Sequence, residues 1–206
     1  MPRSGIEGAQ AERSNSLKHL TEDELLDVFE TARRRSSRDH ALLIVCFQHA
    51  LRASELVSLR LGDIDWRNME ITIRRLKGSL KTTQPLFRMR GRPCMDEVSA
   101  LRTWLNERPR DSGDLLFLSQ KGGRLDRSQF FRLFQSIAAA AGLPAEKRHP
   151  HALKHSIASH LVSENVNLAL VKQQLGHKSI GSTMRYVTTS DQQASKAATS
   201  ALMRLY

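Results

Sequence analysis

Residues 149–161 read HPHALKHSIASHL and residues 175–186 read LGHKSIGSTMRY; how these two stretches fold decides how the rest of the chain is arranged. Pro150 has a fixed φ and no backbone N–H, which suits the first turn of a helix. A helix begun there puts His151, Lys154 and His155 at i, i+3 and i+4, so three cationic or titratable groups share one face. The second stretch predicts a helix that stops at Gly176, presents His177, and leads through a short Ser/Thr-rich connection to Tyr186. A tyrosine held near several fixed positive groups can act as a nucleophile toward a phosphodiester.

The bulk properties agree with a polyanionic partner. The 206 residues carry 32 Lys and Arg against 21 Asp and Glu, a formal net charge of +11. Each phosphate neutralised by such a surface releases condensed counterions and so drives association. Nucleic acid is favoured over a membrane, because no stretch approaches the roughly 20 apolar residues of a spanning helix. No apolar signal segment is visible at the N-terminus, and Cys46 and Cys94 form neither a CxxC pair nor a disulfide framework. A reducing cytoplasm fits, with nucleoid association when DNA is bound.

Working outward, residues 1–16 are polar and aperiodic and read as a disordered arm. At Thr21 a T-E-D-E capping box opens a helix through Leu25, Leu26, Val28, Phe29 and Ala32 that ends in Arg33, Arg34 and Arg35. Those arginines spread around the helix and complement its dipole, with phosphate contact as the alternative. ALLIVCFQHAL (41–51) is apolar nearly all round and predicts a buried helix. In the following RASELVSLRLGDIDW, Ser54 is expected to cap a short helix carrying Glu55, Leu56 and Leu59. Arg52 sits at that junction, with Glu55 near enough to orient it.

MEITIR (69–74) alternates as a strand and TTQPLF (82–87) can return beside it, so that Lys77 projects from the hairpin tip before Gly78, with Lys81 on the same hairpin. Residues 96–108 predict an amphipathic helix, LLFLS (115–119) a short strand or extended segment, and KGGR a basic turn with Lys121 and Arg124. Further helices are expected over 128–141, closed by Gly142, and over 167–175. The alanine-rich residues 190–206 predict a terminal helix, mobile or docked on a neighbour. The fold class is mainly α-helical with a small antiparallel sheet, a single domain over 17–189.

The blocks LRASEL (51–56), RRLKGSLKTTQPL (74–86), HPHALKHSIASHL and LGHKSIGSTMRY, in that order, resemble the catalytic domain of the tyrosine recombinases, or phage integrases. Within that family the chain looks most similar to the short bacterial fimbrial-switch invertases, which lack the separate N-terminal DNA-clamping domain of larger members. The likeness runs from about Leu17 to Tyr186 and includes the nine-residue step from His177 to Tyr186. It implies attack by Tyr186 on a DNA phosphate, leaving a 3′-phosphotyrosyl link and a free 5′-hydroxyl. Arg52 and His177 would donate to the non-bridging oxygens, Lys77 would protonate the leaving oxygen, His151 would assist proton movement, and Glu55 would support Arg52. The family's second arginine falls on Lys154, which keeps the charge but loses the planar fork. Arg33, Arg34, Arg35, Lys81, Lys121, Arg124 and Lys178 are DNA-binding candidates. The resemblance further implies double-stranded DNA with specific sites, a tetramer on paired sites, an accessory DNA-bending protein as a further partner, and no cofactor.

Other readings compete. His151 and His155 at i, i+4 mimic half a zinc site, but the glutamate of HExxH is absent and no third ligand is evident, so no metal is expected. His155 and His160 read as packed structural histidines. A DNA-binding regulator that lost its chemistry through Lys154, and a topoisomerase-like relaxing enzyme, are the alternative functions.

Overall fold

A computed structural model describes residues 19–75, 81–187, 199–200 and 202–203. Helix α1 (Glu22–Arg35) starts with the expected reciprocal capping box between Thr21 and Glu24. Ser36 ends it in extended backbone and caps α2 (Ser37–Gln48) through a bond from the Asp39 N–H, so α2 begins four residues before the apolar run that announced it. All residues of α2 from Arg38 to Phe47 are buried. Packed by α1, α4 (Glu97–Glu107) and α6 (His151–Ser163), α2 has no solvated face, as an all-round apolar helix requires.

The short helix α3 (Ala53–Leu56) follows, capped two residues earlier than Ser54: the Arg52 N–H donates to the Glu55 carboxylate at 2.9 Å, making Arg52 the N-cap residue. The sheet has three antiparallel strands in the order β1 (Ile64–Asp65), β2 (Glu70–Ile73), β3 (Thr82–Pro85), with Ile71 opposite Gln84 and Ile73 opposite Thr82. Ile71 and Ile73 point into the core, and Thr82 and Gln84 are buried beside them. β1, only two residues long, was not foreseen. Residues 115–119 form no named strand; they make isolated bridges from Leu115 to Arg60 and from Leu118 to Arg124, while the Trp104 indole N–H secures the Leu116 carbonyl at 2.8 Å.

Helix α5 (Arg127–Ala140) buries Phe130 and Phe134 and leaves Phe131 exposed. Helices α6, α7 (Leu168–Leu175) and α8 (Gly181–Met184) complete the described domain, α7 lying against α6, α8 and the edge strand β3. Pro150 immediately precedes α6 in helical backbone, as its missing N–H allows. No described helix is long and apolar enough to cross a membrane.

Candidate active site

The site forms where two helices end. α7 closes on Gly176 at φ +62°, with the Gly176 N–H donating to Gln173 O (3.1 Å) and the His177 N–H to Lys172 O (3.0 Å), the bond pair of a Schellman motif. The last carbonyls of the helix, Gln174 and Leu175, must find donors elsewhere. Opposite them α2 ends, and Ala50 adopts φ +51° as the chain turns toward α3.

Two buried cations bridge these ends. Lys154 Nζ donates to Ala50 O (2.9 Å) and Leu175 O (2.8 Å). The Arg75 guanidinium donates to His49 O (3.0 Å), Ala50 O (3.3 Å), Gln174 O (2.8 Å) and Glu55 Oε2 (3.1 Å). Both therefore lie at the negative end of two helix dipoles. The backbone of Gly176 runs so close that a Cβ added there would sit 2.6 Å from Arg75 Nε. Burial, with the Arg75 and Arg52 charges adding to it, lowers Lys154 to about 7. Burial also lowers Arg75, opposed by Glu55.

Each helix end delivers one of the expected phosphate donors, Arg52 two residues past Ala50 and His177 two residues past Leu175. Arg52 Nη1 donates to Glu55 Oε1 at 2.7 Å and its side chain stays one-third exposed, at 34%. Burial opposes ionisation of Glu55, but the backbone and side-chain bonds from Arg52 and the Arg75 and Lys154 charges outweigh it and hold the carboxyl below its usual range. His177 is half-buried, its Nδ1 3.0 Å from Thr183 Oγ1. Burial first, then Lys154 and Arg52, brings it down to about 4, so it is a neutral donor at pH 7.

The nucleophile candidate packs at the same junction. The Tyr186 ring packs against the small apolar cluster of Ala50, Ala158, Val171 and Leu175. Its hydroxyl is 2.8 Å from His155 Nδ1, and burial raises its pKa. His151 is exposed on the first turn of α6, its ring centroid 6.4 Å from that of His155. It lines, with Leu51, Ala53, Arg127, Phe131 and Arg132, a cleft of about 340 Å³.

The structure thus brings Arg52, Glu55, Lys154 and His177 into one cationic cluster, with His151 and Tyr186 reached through α6. Lys77 falls outside the described residues, as does nearly all of 190–206. Arg33 is paired with Glu30 at 2.9 Å, and Arg35 with Asp39 at 3.1 Å. Arg34, Lys81, Lys121, Arg124 and Lys178 are exposed. Among the described residues no three His, Cys, Asp or Glu side chains converge as a metal site would need. Two residues gain importance over the sequence reading. His155 stands at i+4 on the same face as His151 and reads from sequence as a packed histidine, whereas Arg75 is hidden in a basic run whose period gives no hint of its four partners.

The family profile described as "Phage integrase family" matches residues 18–193. Type 1 fimbriae regulatory protein FimB of Escherichia coli strain K12 is 35% identical over 185 residues, covering 88% of this chain and 88% of FimB. The crystal structure of XerA recombinase superposes with a TM-score of 0.72 at 27% identity, covering 89% of this chain and 64% of that one. XerH site-specific recombinase, bound to difH substrate in a pre-cleavage complex, gives 0.72 at 26% identity, over 88% of this chain and 54% of that one. The matched residues include the whole of the site just described, and the chain belongs to the phage integrase family.

Proposed function

We propose that the chain is a site-specific DNA recombinase that cuts and rejoins duplex DNA through a 3′-phosphotyrosyl link at Tyr186. The observation that carries this reading is the meeting of Arg52, Lys154 and His177, from three distant parts of the sequence, at the junction where half-buried Tyr186 packs against Ala50 and Leu175. A phosphodiester seated among these groups gathers charge on its non-bridging oxygens as the tyrosine attacks, and preorganised donors favour that state over the ground state. Arg52, held by Glu55, and neutral His177, held by Thr183, supply those donors. Lys154 adds positive charge from beneath. Lys77 protonates the leaving 5′-oxygen, and Lys81 is the alternative. The phosphodiester energy is kept in the tyrosyl ester, so religation needs no nucleotide cofactor. Similarity to XerH, a site-specific recombinase bound to its difH substrate, supports a specific DNA substrate; as part of the same proposal the chain acts as a tetramer on paired sites, with an accessory DNA-bending protein as a further partner and the cytoplasmic nucleoid as its place of action.

A second reading, a DNA-binding regulator, is favoured by one observation: the Lys154 ammonium is already bonded to two backbone carbonyls. A nicked suicide substrate carrying candidate sites decides between them. The recombinase forms a denaturant-resistant protein–DNA adduct that disappears in Tyr186→Phe. Binding without adduct assigns the regulator, and supercoil relaxation without recombinant products assigns a relaxing enzyme.

A further inference from the structure

We infer that His155, and not the exposed His151, is the proton acceptor for Tyr186, touching the reacting atom directly. The inference rests on the strand-transfer reading above. It starts from geometry: among the described contacts the Tyr186 hydroxyl meets one titratable side chain, His155 Nδ1, at 2.8 Å. The tyrosine ring is fixed on its apolar side, and the imidazole stands on α6 one residue after Lys154, with ring centroids 5.8 Å apart. A general base must lie within hydrogen-bond reach of the proton it removes, and this pair does so before any DNA is present. With the proton of the neutral imidazole on Nε2, Nδ1 accepts the phenolic O–H.

The charges around His155 make the base respond to substrate. His151 and Lys154 face it from its own helix, His149 from the preceding turn, and Arg185 from the end of α8. Burial first, and then these neighbours, lower His155 to about 4. The DNA-free protein therefore holds a neutral imidazole, ready to accept but a weak base. A phosphate entering the cluster brings a negative charge that cancels the repulsion on a developing imidazolium and raises its basicity. In the forward step the Tyr186 Oη–P bond forms as the P–O5′ bond breaks. The phenolic proton passes to His155 Nδ1, and the leaving 5′-oxygen takes a proton from the lysine side. Religation runs in reverse, the imidazolium returning its proton to the departing phenolate.

His155→Asn separates base from scaffold, because an asparagine amide oxygen can occupy the Nδ1 position and accept the phenol's hydrogen bond but cannot carry its proton. Single-turnover adduct formation on the suicide substrate is measured against pH, with DNA binding and thermal unfolding followed in parallel. The expected result is a loss of about 100-fold or more at neutral pH, with binding retained and a residual rate that climbs as pH rises, as hydroxide replaces the missing base. His155→Ala supplies a second readout: free imidazole should restore its adduct rate in proportion to the unprotonated imidazole present. A His155→Asn protein within about threefold of wild type, or a His155→Ala protein that binds DNA and ignores imidazole, overturns the assignment while leaving the recombinase reading intact. A wild-type chain giving no Tyr186-dependent adduct overturns both.

Discussion

In Lys154 a structural tie and the proposed chemistry meet in one side chain. A neutral amine has two N–H donors and an ammonium three; two acceptors, Ala50 O and Leu175 O, are engaged. Charging Lys154 therefore frees one donor without breaking either tie, and its pKa near 7 makes that change easy to drive with a bound phosphate. An arginine at this position carries five donors, enough for both carbonyls and a phosphate oxygen. Lys154→Arg should accordingly preserve or raise the rate of adduct formation. Lys154→Met leaves the Leu175 carbonyl without a donor and Ala50 O with only its 3.3 Å bond from Arg75, which should cost about 1–3 kcal/mol for the one left unsatisfied and lower the adduct rate. Urea unfolding and suicide-substrate kinetics check both. Loss of cleavage in a stably folded Lys154→Arg protein would remove Lys154 from the phosphate site.

At the scale of elements, the site is a junction of two helix C-termini held by Arg75 and Lys154, and Gly176 is where that junction is tightest. Two separate demands fall on it. Its φ of +62° is left-handed backbone, and a Cβ would press to 2.6 Å of Arg75 Nε, a group whose fork joins α2, α7 and Glu55. Gly142, at φ +80° with nothing within 4 Å of its would-be Cβ, shares only the first demand. Gly142→Ala should lose about 1–2 kcal/mol from backbone strain alone. Gly176→Ala should lose more, and should also slow adduct formation, because displacing Arg75 moves the ends that carry Arg52 and His177. Equal destabilisation by the two variants, with cleavage unaffected, would remove Arg75 from the placement of those donors. The junction explains what could be read from the chain. Gly176 as a helix stop, the Thr21 capping box and the buried run of α2 follow from local rules, since each depends on neighbours within one turn. The partners of Arg75, 99 residues away at Gln174, do not, because a buried arginine satisfied by carbonyls leaves no periodic trace.

For the whole molecule, the family was legible from four sequence blocks as an ordered set even though each block alone is weak, and the strand β1 was missed because two residues cannot establish alternation. The same assembly that gathers distant cations also sets how the fold responds to acid. His155 and His177 are both held near 4 in the folded protein, against an ordinary histidine value of 6.5. Between those values the unfolded chain binds protons at these positions that the native chain refuses, so the proton linkage favours unfolding as pH falls. Below about 4 both states are protonated and these two groups add no further slope. Glu55, held below its usual range, acts in the same direction from about 4.5 downward. The urea midpoint should therefore fall steadily from pH 6.5 to 4.5, a window above the ordinary range of most carboxylates. Replacing His155 and His177 together by asparagine should flatten that fall without abolishing folding. An unchanged wild-type midpoint across the window, or an equal fall in the double variant, would mean that these imidazoles are not kept neutral by the site, and that the cation cluster is more open to water than its geometry requires.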